Sequence, residues 1–162
     1  MTLPAIRPAE GPADMAAVRE LFTEYQAAID VGLCFQGFEE ELSSLPGLYA
    51  PPRGCLFLAA DADKIAGVVG VRPLDDTREK KNRGEVKRLY VRSPWRGAGL
   101  GRRLAVRAVA AAREAGFKTL CLDTLGFMNE ARALYASLGF FEIPAYYDNP
   151  VDEVIYMELA LR

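Results

Sequence analysis

The sequence predicts an α/β fold in which one central mixed β-sheet is flanked by helices. Strand-like runs and segments with the 3.6-residue apolar period of a helix follow one another along the whole chain. The length of 162 residues suits one domain with one sizeable core. No linker, repeat or low-complexity tract divides the chain. We therefore expect a single domain over residues 1–162.

The first half is predicted to contain a strand, two helices and a hairpin. Residues 3–9 form a short first strand. Apolar residues at helical spacing predict an amphipathic helix over residues 13–29, and a second, shorter helix is expected over residues 38–45. The apolar runs 55–60 and 64–74 are strand-like, and the three residues between them form the turn.

The second half is predicted to alternate strands with helices. A strand is expected over residues 85–91, an Ala-rich helix over 99–115 and a strand over 118–124. A further helix follows over 130–138, and the last strand covers 153–161. The first strands are therefore antiparallel, and the helix over 99–115 is the crossover of a βαβ unit.

Composition excludes several classes of protein. Twenty basic residues against 22 acidic ones give no excess of positive charge, which argues against a nucleic-acid partner. No apolar run approaches the roughly 20 residues that cross a bilayer, so no membrane partner is expected. The N-terminus lacks the pattern of a signal peptide. Three cysteines without CxxC spacing fit reduced thiols, and a cytoplasmic location is expected.

The chain contains no histidine. This excludes Ser-His and Cys-His catalysis and nearly all zinc sites, so no metal is expected. Acid–base chemistry must then use a carboxylate, tyrosine, thiol, lysine or water.

A glycine-rich turn lies between the strand at 85–91 and the helix at 99–115. Glycines let the backbone approach a ligand closely, and successive N–H groups at a helix N-terminus attract anions. Arginines on both sides of the turn strengthen that interpretation. The turn has neither the GxxxxGK[ST] of a P-loop nor GxGxxG after a first strand. A nucleotide-phosphate binder, or a loop whose glycines serve packing alone, stays an alternative.

The turn matches the pattern [Q/R]xxGx[G/A] at Arg96, Gly99 and Gly101, and "ALYASLGF" follows over residues 133–140. With these motifs the chain resembles the GNAT (GCN5-related) superfamily of N-acetyltransferases. The resemblance implies a fold in which strands four and five splay apart. It also implies acetyl-CoA as cosubstrate and an acetyl group transferred to the primary amine of a small molecule, by direct attack in a ternary complex. A catalytically silent acyl-CoA-binding or regulatory module is the alternative.

The resemblance also implies which residues hold coenzyme A. The pantetheine arm would pair with the backbone of the fourth strand, as an added strand does. The pyrophosphate would lie against the turn, and an asparagine near the fourth helix would contact the arm. These cofactor residues are Leu89, Tyr90, Val91, Arg96, Gly97, Ala98, Gly99, Leu100, Gly101, Arg102 and Asn129. Many relatives have asparagine one place earlier, where this chain has Met128, so Asn129 is alternatively the N-cap of that helix.

Two catalytic residues follow from the same resemblance. Glu85 lies 11 residues before Arg96, the offset of a catalytic glutamate in several relatives, and would act as the base directly or through a water. Tyr135 would protonate or hydrogen-bond the departing thiolate. Glu85 could instead be a solvated residue at a strand end, and Tyr135 could belong to the apolar stripe of its helix.

The acceptor is expected to meet Phe35, Arg72, Arg88 and Tyr147, because the family binds acceptors with these segments of the fold. Lys87 and Arg88 alternate in direction along a strand, so at least one cation should reach the pocket and favour a carboxylate-bearing amine. Both cations could instead serve the phosphates or coat the surface. The acidic run 39–41 would suit a peptide or polyamine, but a solvated helix face is the simpler interpretation. The last strand offers an edge through which a homodimer could form.

Overall fold

The computed structural model describes residues 3–29, 37–74 and 80–161. Within these ranges, seven strands form one mixed sheet in the order β1-β2-β3-β4-β5-β7-β6. In chain order the elements are β1 (Ala5–Pro8), α1 (Gly11–Ile29), α2 (Phe38–Ser44), β2 (Cys55–Asp61), β3 (Lys64–Leu74), β4 (Arg83–Val91), α3 (Leu100–Glu114), β5 (Thr119–Leu125), α4 (Asn129–Ser137), β6 (Phe141–Ile143) and β7 (Val154–Ala160). The predicted mixed α/β sheet is confirmed.

The sheet opens into a fork between β4 and β5. Strands β1 to β4 are antiparallel neighbours, whereas β4 and β5 are parallel and joined by α3. The parallel ladder has three pairs and ends at Glu85 and Cys121. Beyond that point β5 pairs only with β7, so the carboxyl ends of β4 and β5 diverge. The predicted splay of strands four and five is thereby confirmed.

Each face of the sheet carries its own apolar cluster. The cluster under α3 and α4 includes Val86 from β4 and Leu104 from α3. The cluster under α1 and α2 includes Phe22 and Val68. Strand alternation therefore turns Val86 toward α3, whereas Glu85 lies on the opposite face, toward α1 and α2. None of the helices in the described ranges has the length and apolar character needed to cross a membrane.

Each predicted helix and strand begins and ends within two residues of its predicted bounds. The expectation that the last strand has a free edge is wrong. β7 lies between β5 and β6, and residues 156–158 are paired on both sides. The short strand β6, which was not predicted from the sequence, forms the edge of the sheet. β7 therefore does not supply the free edge on which the expectation of a homodimer was based.

Candidate active site

The fork between β4 and β5 forms a cleft with an empty volume of about 450 Å³, its open mouth included. β4, β5, α4 and α1 all contribute side chains to its wall. The lining residues are Tyr25, Val86, Lys87, Arg88, Leu89, Asp123, Thr124, Met128, Ala131 and Tyr135. The cleft thus has a mixed polar and apolar wall, with charged groups at its vertex, where the two strands separate.

A β-bulge shapes the β4 side of this cleft. Gly70 pairs with Lys87 and Val68 pairs with Tyr90, so β4 has one residue more than β3 between these pairs. Within the bulge Arg88 has φ +61°, a left-handed conformation that is uncommon for a residue other than glycine. A bulge re-aims side chains and increases twist. As a result, Lys87 and Arg88 both line the cleft, whereas simple alternation predicts at least one.

Arg88 is paired with Glu41 of α2. The Arg88 Nε and Nη2 atoms donate to Glu41 Oε2 at 3.1 Å and Oε1 at 2.9 Å, and the Tyr49 hydroxyl also donates to Glu41. Burial opposes ionisation of the carboxyl, but the bonds and charge of Arg88 outweigh it and lower the pKa of Glu41. The interpretation of the acidic run as a solvated face is therefore wrong for Glu41, although Glu39 and Glu40 are exposed.

Glu85 is enclosed just below the fork. Its residue exposure is 1%. Arg72 is the residue of β3 that pairs with Glu85, and its Nε donates to Oε1 at 3.1 Å. The Tyr146 hydroxyl donates to Oε2 at 2.7 Å. Both carboxylate oxygens therefore have a donor. Glu85 is not a solvated strand-end residue, and it is also not among the residues that line the cleft.

Lys87 and Asp123 stand at the vertex of the fork. The Lys87 Nζ atom lies 3.6 Å from Asp123 Oδ1, and the two side chains are 3% and 13% exposed. The Tyr147 hydroxyl donates to the other oxygen of Asp123, and Asn149 in turn donates to the Tyr147 hydroxyl. Burial lowers the pKa of Lys87, and the nearby carboxylates of Glu85 and Asp123 oppose this effect only in part.

Tyr135 closes the cleft from α4. Its residue is 7% exposed, and its ring packs edge-to-face on Phe140 with 5.6 Å between centroids. It belongs to the apolar cluster under α4 and also lines the cleft, so the structural and functional interpretations of this residue are compatible. Burial raises the pKa of its phenol, which keeps the group protonated.

The glycine turn leads from β4 into α3 and is open to solvent. Gly97 and Gly99 have φ values of +87° and +81°, and a Cβ at either position would meet no atom within 4 Å. Gly99 is the N-cap of α3 and provides no side-chain cap, so the first-turn N–H groups stay available for an anion. Arg96 is exposed and donates to the Val91 carbonyl at 2.7 Å. These features fit a diphosphate.

The remaining predicted residues are divided among several places. Leu89, Tyr90 and Val91 lie on β4 beyond its last pair with β5. The Arg102 side chain donates to Ser137 of α4. Phe35 lies outside the described residues.

Asn129 is exposed and lines a groove beside β6 instead of the cleft. The residue before it, Met128, is both the N-cap of α4 and part of the cleft lining. The alternative role of Asn129 as N-cap is therefore wrong.

Sequence reasoning missed Asp123 and the burial of Glu41. A signal existed for each. Asp123 has the same strand direction as the buried Cys121, and Glu41 lies on the stripe that Phe38 and Leu42 define at helical spacing. Tyr147 was predicted to meet the acceptor, but no sequence signal identified its neighbour Tyr146 as a hydrogen-bond donor to Glu85. Among the described residues, no group of three or more metal-ligating side chains is close enough to hold an ion.

Comparisons with known proteins agree with this geometry. Residues 16–140 match the model of the acetyltransferase (GNAT) family. The chain is 34% identical over 151 residues to an uncharacterized N-acetyltransferase of Schizosaccharomyces pombe, covering 93% of this chain and 90% of that protein.

Solved structures share the fold. An acetyltransferase of Streptococcus agalactiae superposes with a TM-score of 0.76 at 21% identity, covering 97% of this chain and 98% of the other. A putative acetyltransferase of Salmonella typhimurium, solved with its cofactor acetyl-CoA, gives a TM-score of 0.72 at 20% identity, covering 100% of this chain and 95% of the other.

Proposed function

Because the chain belongs to the GNAT family of acetyltransferases, we propose that it transfers the acetyl group of acetyl-CoA to the primary amine of a small, carboxylate-bearing molecule. The observation that carries this proposal is the fork between β4 and β5. It opens between an uncapped helix N-terminus with an open glycine turn and a group of buried charged side chains. A thioester held in the fork would therefore meet an amine held by those charges.

Coenzyme A fits the residues predicted for it. The pyrophosphate would accept hydrogen bonds from the turn formed by residues 96–102, with Arg96 and the dipole of α3 adding positive charge. The pantetheine arm would add to the edge of β4 at Leu89, Tyr90 and Val91, which lie beyond the last pair with β5. Asn129 lies outside the cleft, and we do not propose it as a contact of the arm.

Acetyl transfer requires a neutral amine, a polarised carbonyl and a protonated leaving group. Tyr135 is proposed to supply the proton of the leaving thiolate, since it lines the cleft and its phenol stays protonated. Glu85 is proposed to act on the amine from a distance. Its oxygens accept from Arg72 and Tyr146, so its negative charge favours a cation in the site without direct contact.

Arg72 is the proposed partner of the acceptor's carboxylate. Arg88 already has a bidentate carboxylate partner in Glu41, so it suits the wall of the site more than a substrate contact. Arg72 contacts Glu85 through Nε, lies 3.8 Å from Glu41 through Nη1, and keeps 21% of its side chain exposed. It lines a depression beside α2 and not the cleft itself. Tyr147 would close the site over the acceptor.

A panel of amines tests the proposal. Thermal shift with acetyl-CoA, CoA and ATP measures cofactor binding, and release of free thiol measures transfer to amino acids, their amides, spermidine and a lysine peptide. We expect stabilisation by both CoA forms and turnover with carboxylated amines. Binding of acetyl-CoA without turnover on any amine would favour the silent module, and stronger stabilisation by ATP would favour a nucleotide site. The cytoplasmic location stays a prediction of the sequence.

A further inference from the structure

The vertex of the fork holds a lysine and an aspartate in opposing positions. The last β4–β5 pair is Glu85 with Cys121, and continuing both strands by two residues brings Lys87 opposite Asp123. The strands have separated there, and the two side chains span the gap with 3.6 Å between Nζ and Oδ1. Lys87 is therefore a primary amine inside the cleft, on the same wall as the proposed thioester arm.

The charges that face Lys87 come from four elements. Glu85 precedes it on β4, Arg72 lies on β3, and Asp123 lies on β5, while Arg88 follows it and is paired with Glu41 of α2. The phenols of Tyr25 and Tyr135 line the same cleft. Three cations and three carboxylates make the group neutral when Lys87 is protonated. When Lys87 is neutral, the group carries one negative charge and can accept one ammonium ion.

We propose that Lys87 is the catalytic proton acceptor of the acetyl transfer. This proposal rests on the proposed transferase function. The acceptor enters as an ammonium ion when the Lys87 amine is neutral, and Asp123 provides its counter-charge. The proton passes from the acceptor nitrogen to Lys87 Nζ, after which the charged group is neutral again and the acceptor amine is nucleophilic.

The remaining steps balance. The neutral amine attacks the thioester carbonyl, so a C–N bond forms and the C–S bond breaks. Tyr135 gives its proton to the departing thiolate and regains one from the new amide nitrogen. Lys87 returns its proton to solvent, and the net reaction converts an ammonium ion and a thioester into an amide, a thiol and one proton.

Proton affinity favours Lys87 over the carboxylates for this step. Reference pKa values are about 10.4 for lysine and about 3.9 for aspartate, so an alkylammonium gives its proton to another amine with far less bias. Burial lowers the pKa of Lys87 and so favours its neutral form, which is the form that accepts a proton. Glu85 has donors on both oxygens and lies outside the cleft lining, so it helps by charge alone.

Two substitutions separate proton transfer from a merely structural cation. Lys87→Met removes both the base and the positive charge. Lys87→Arg keeps the positive charge, but its guanidinium stays protonated and cannot accept a proton. With the best amine of the panel, both variants should lose about 100-fold in kcat near neutral pH. The loss of kcat should shrink as pH approaches the pKa of the acceptor, about 10 for an alkylamine, because much of the acceptor is then already deprotonated in solution. Lys87→Arg with wild-type kcat, or a deficit that does not change with pH, would overturn the proposal.

Controls exclude loss of fold and of cofactor binding. Lys64→Met, at an exposed lysine of β3, should leave kcat unchanged. Both Lys87 variants should keep acetyl-CoA affinity within about threefold, since Lys87 is proposed to touch the amine and not the phosphates. If their acetyl-CoA affinity falls in parallel with kcat, Lys87 is a structural residue and the proposal fails.

A titration of the wild-type protein needs no variant to fold. Carbon-13 NMR of labelled lysine side chains, with CoA bound, follows each ammonium separately, and the buried Lys87 is identified by its protection from surface methylation. We expect Lys87 to lose its proton at a lower pH than the exposed lysines do. Titration together with the exposed lysines would overturn the inference. Wild-type protein without turnover on any amine would instead sink the transferase proposal, and this inference with it.

Discussion

Arg88 and Glu41 form a bidentate ion pair between the β4 bulge and the helix α2, which are 47 residues apart in the chain. Their side chains are only 2% and 8% exposed. The pair fixes an arginine in a left-handed backbone conformation and ties α2 to the wall of the cleft. A buried pair contributes little relative to apolar residues, but removal of one partner leaves an uncompensated charge.

Glu41→Gln should therefore lower the free energy of unfolding by about 3 kcal/mol, because Arg88 would stay buried without a counter-charge. Urea denaturation at neutral pH measures the change. Glu40→Gln is the matched control, since Glu40 is the exposed neighbour on the same helix and should change stability by no more than about 0.5 kcal/mol. Equal unfolding midpoints for the two variants would contradict the importance of the pair.

The difference between the wild type and Glu41→Gln should also depend on pH. The folded protein lowers the pKa of Glu41 below its ordinary value of 4.5, with burial opposing and Arg88 dominating. The stabilisation is therefore fully present above about pH 4.5, the unfolded value, and is lost as pH falls through the lower folded pKa. Denaturation curves recorded from neutral to acidic pH should converge for these two proteins and stay parallel for Glu40→Gln.

Local patterns were enough to predict most of the elements and their order, but not the edge position of β6. Apolar periodicity gave the helices, and the order of elements gave the antiparallel half and the crossover through α3. The β4 bulge had no such signal, because its extra position is filled by Arg88 and Leu89 and not by glycine. The Arg88 side chain is held in this conformation by contacts with distant elements, the ion pair with Glu41 of α2 and the ring of Tyr25 of α1.

The candidate site was predictable in part. Tyr135 and Glu85 were predicted from motif spacing, and both remain predictions as catalytic residues. Motif spacing identifies only residues that are linked by a pattern along the chain. The partners of Glu85 could not be found in this way, since Arg72 lies on the neighbouring strand β3 and Tyr146 is 61 residues away. The acidic run at α2 was misjudged because the charge of Glu41 is compensated by Arg88 and Arg72, which lie on strands distant in the sequence.

Gly99→Glu should abolish binding of acetyl-CoA while the fold survives. The substitution puts a side chain and a negative charge at the N-cap of α3, where the pyrophosphate is proposed to bind. Gly116→Glu is a matched control at the other end of α3, with φ +85° and no atom within 4 Å of an added Cβ. Each variant should lose about 1 kcal/mol or more from the positive φ alone. Calorimetric titration should then show wild-type affinity for Gly116→Glu and none for Gly99→Glu, and equal affinities would remove the turn from the cofactor site.

Arg72→Leu should raise KM for a carboxylated amine by at least about tenfold while changing KM for the corresponding amide by much less, because only the former loses a charged partner. Comparing wild type and variant with both acceptors cancels the effect of removing the Arg72 donor from Glu85, which keeps its hydrogen bond from Tyr146. Steady-state kinetics at saturating acetyl-CoA measures it. If KM rises equally for both acceptors, Arg72 supports Glu85 and does not bind the acceptor.

Tyr135→Phe should lower kcat by about 100-fold and leave the affinity for acetyl-CoA within about twofold, because the ring keeps its packing on Phe140 and only the proton donor is lost. Since burial raises the pKa of the phenol, the wild type should show no loss of this acid through the neutral and mildly alkaline range. Tyr156→Phe removes the hydroxyl of a buried residue in the aromatic group of Tyr146, Tyr147 and Tyr156, and because Tyr156 does not line the cleft, kcat should stay within about threefold of wild type. Stopped-flow measurement of thiol release separates chemistry from product dissociation. A full rate for Tyr135→Phe would mean that the thiolate leaves unprotonated, or that water protonates it, and Tyr135 would then be a packing residue of α4.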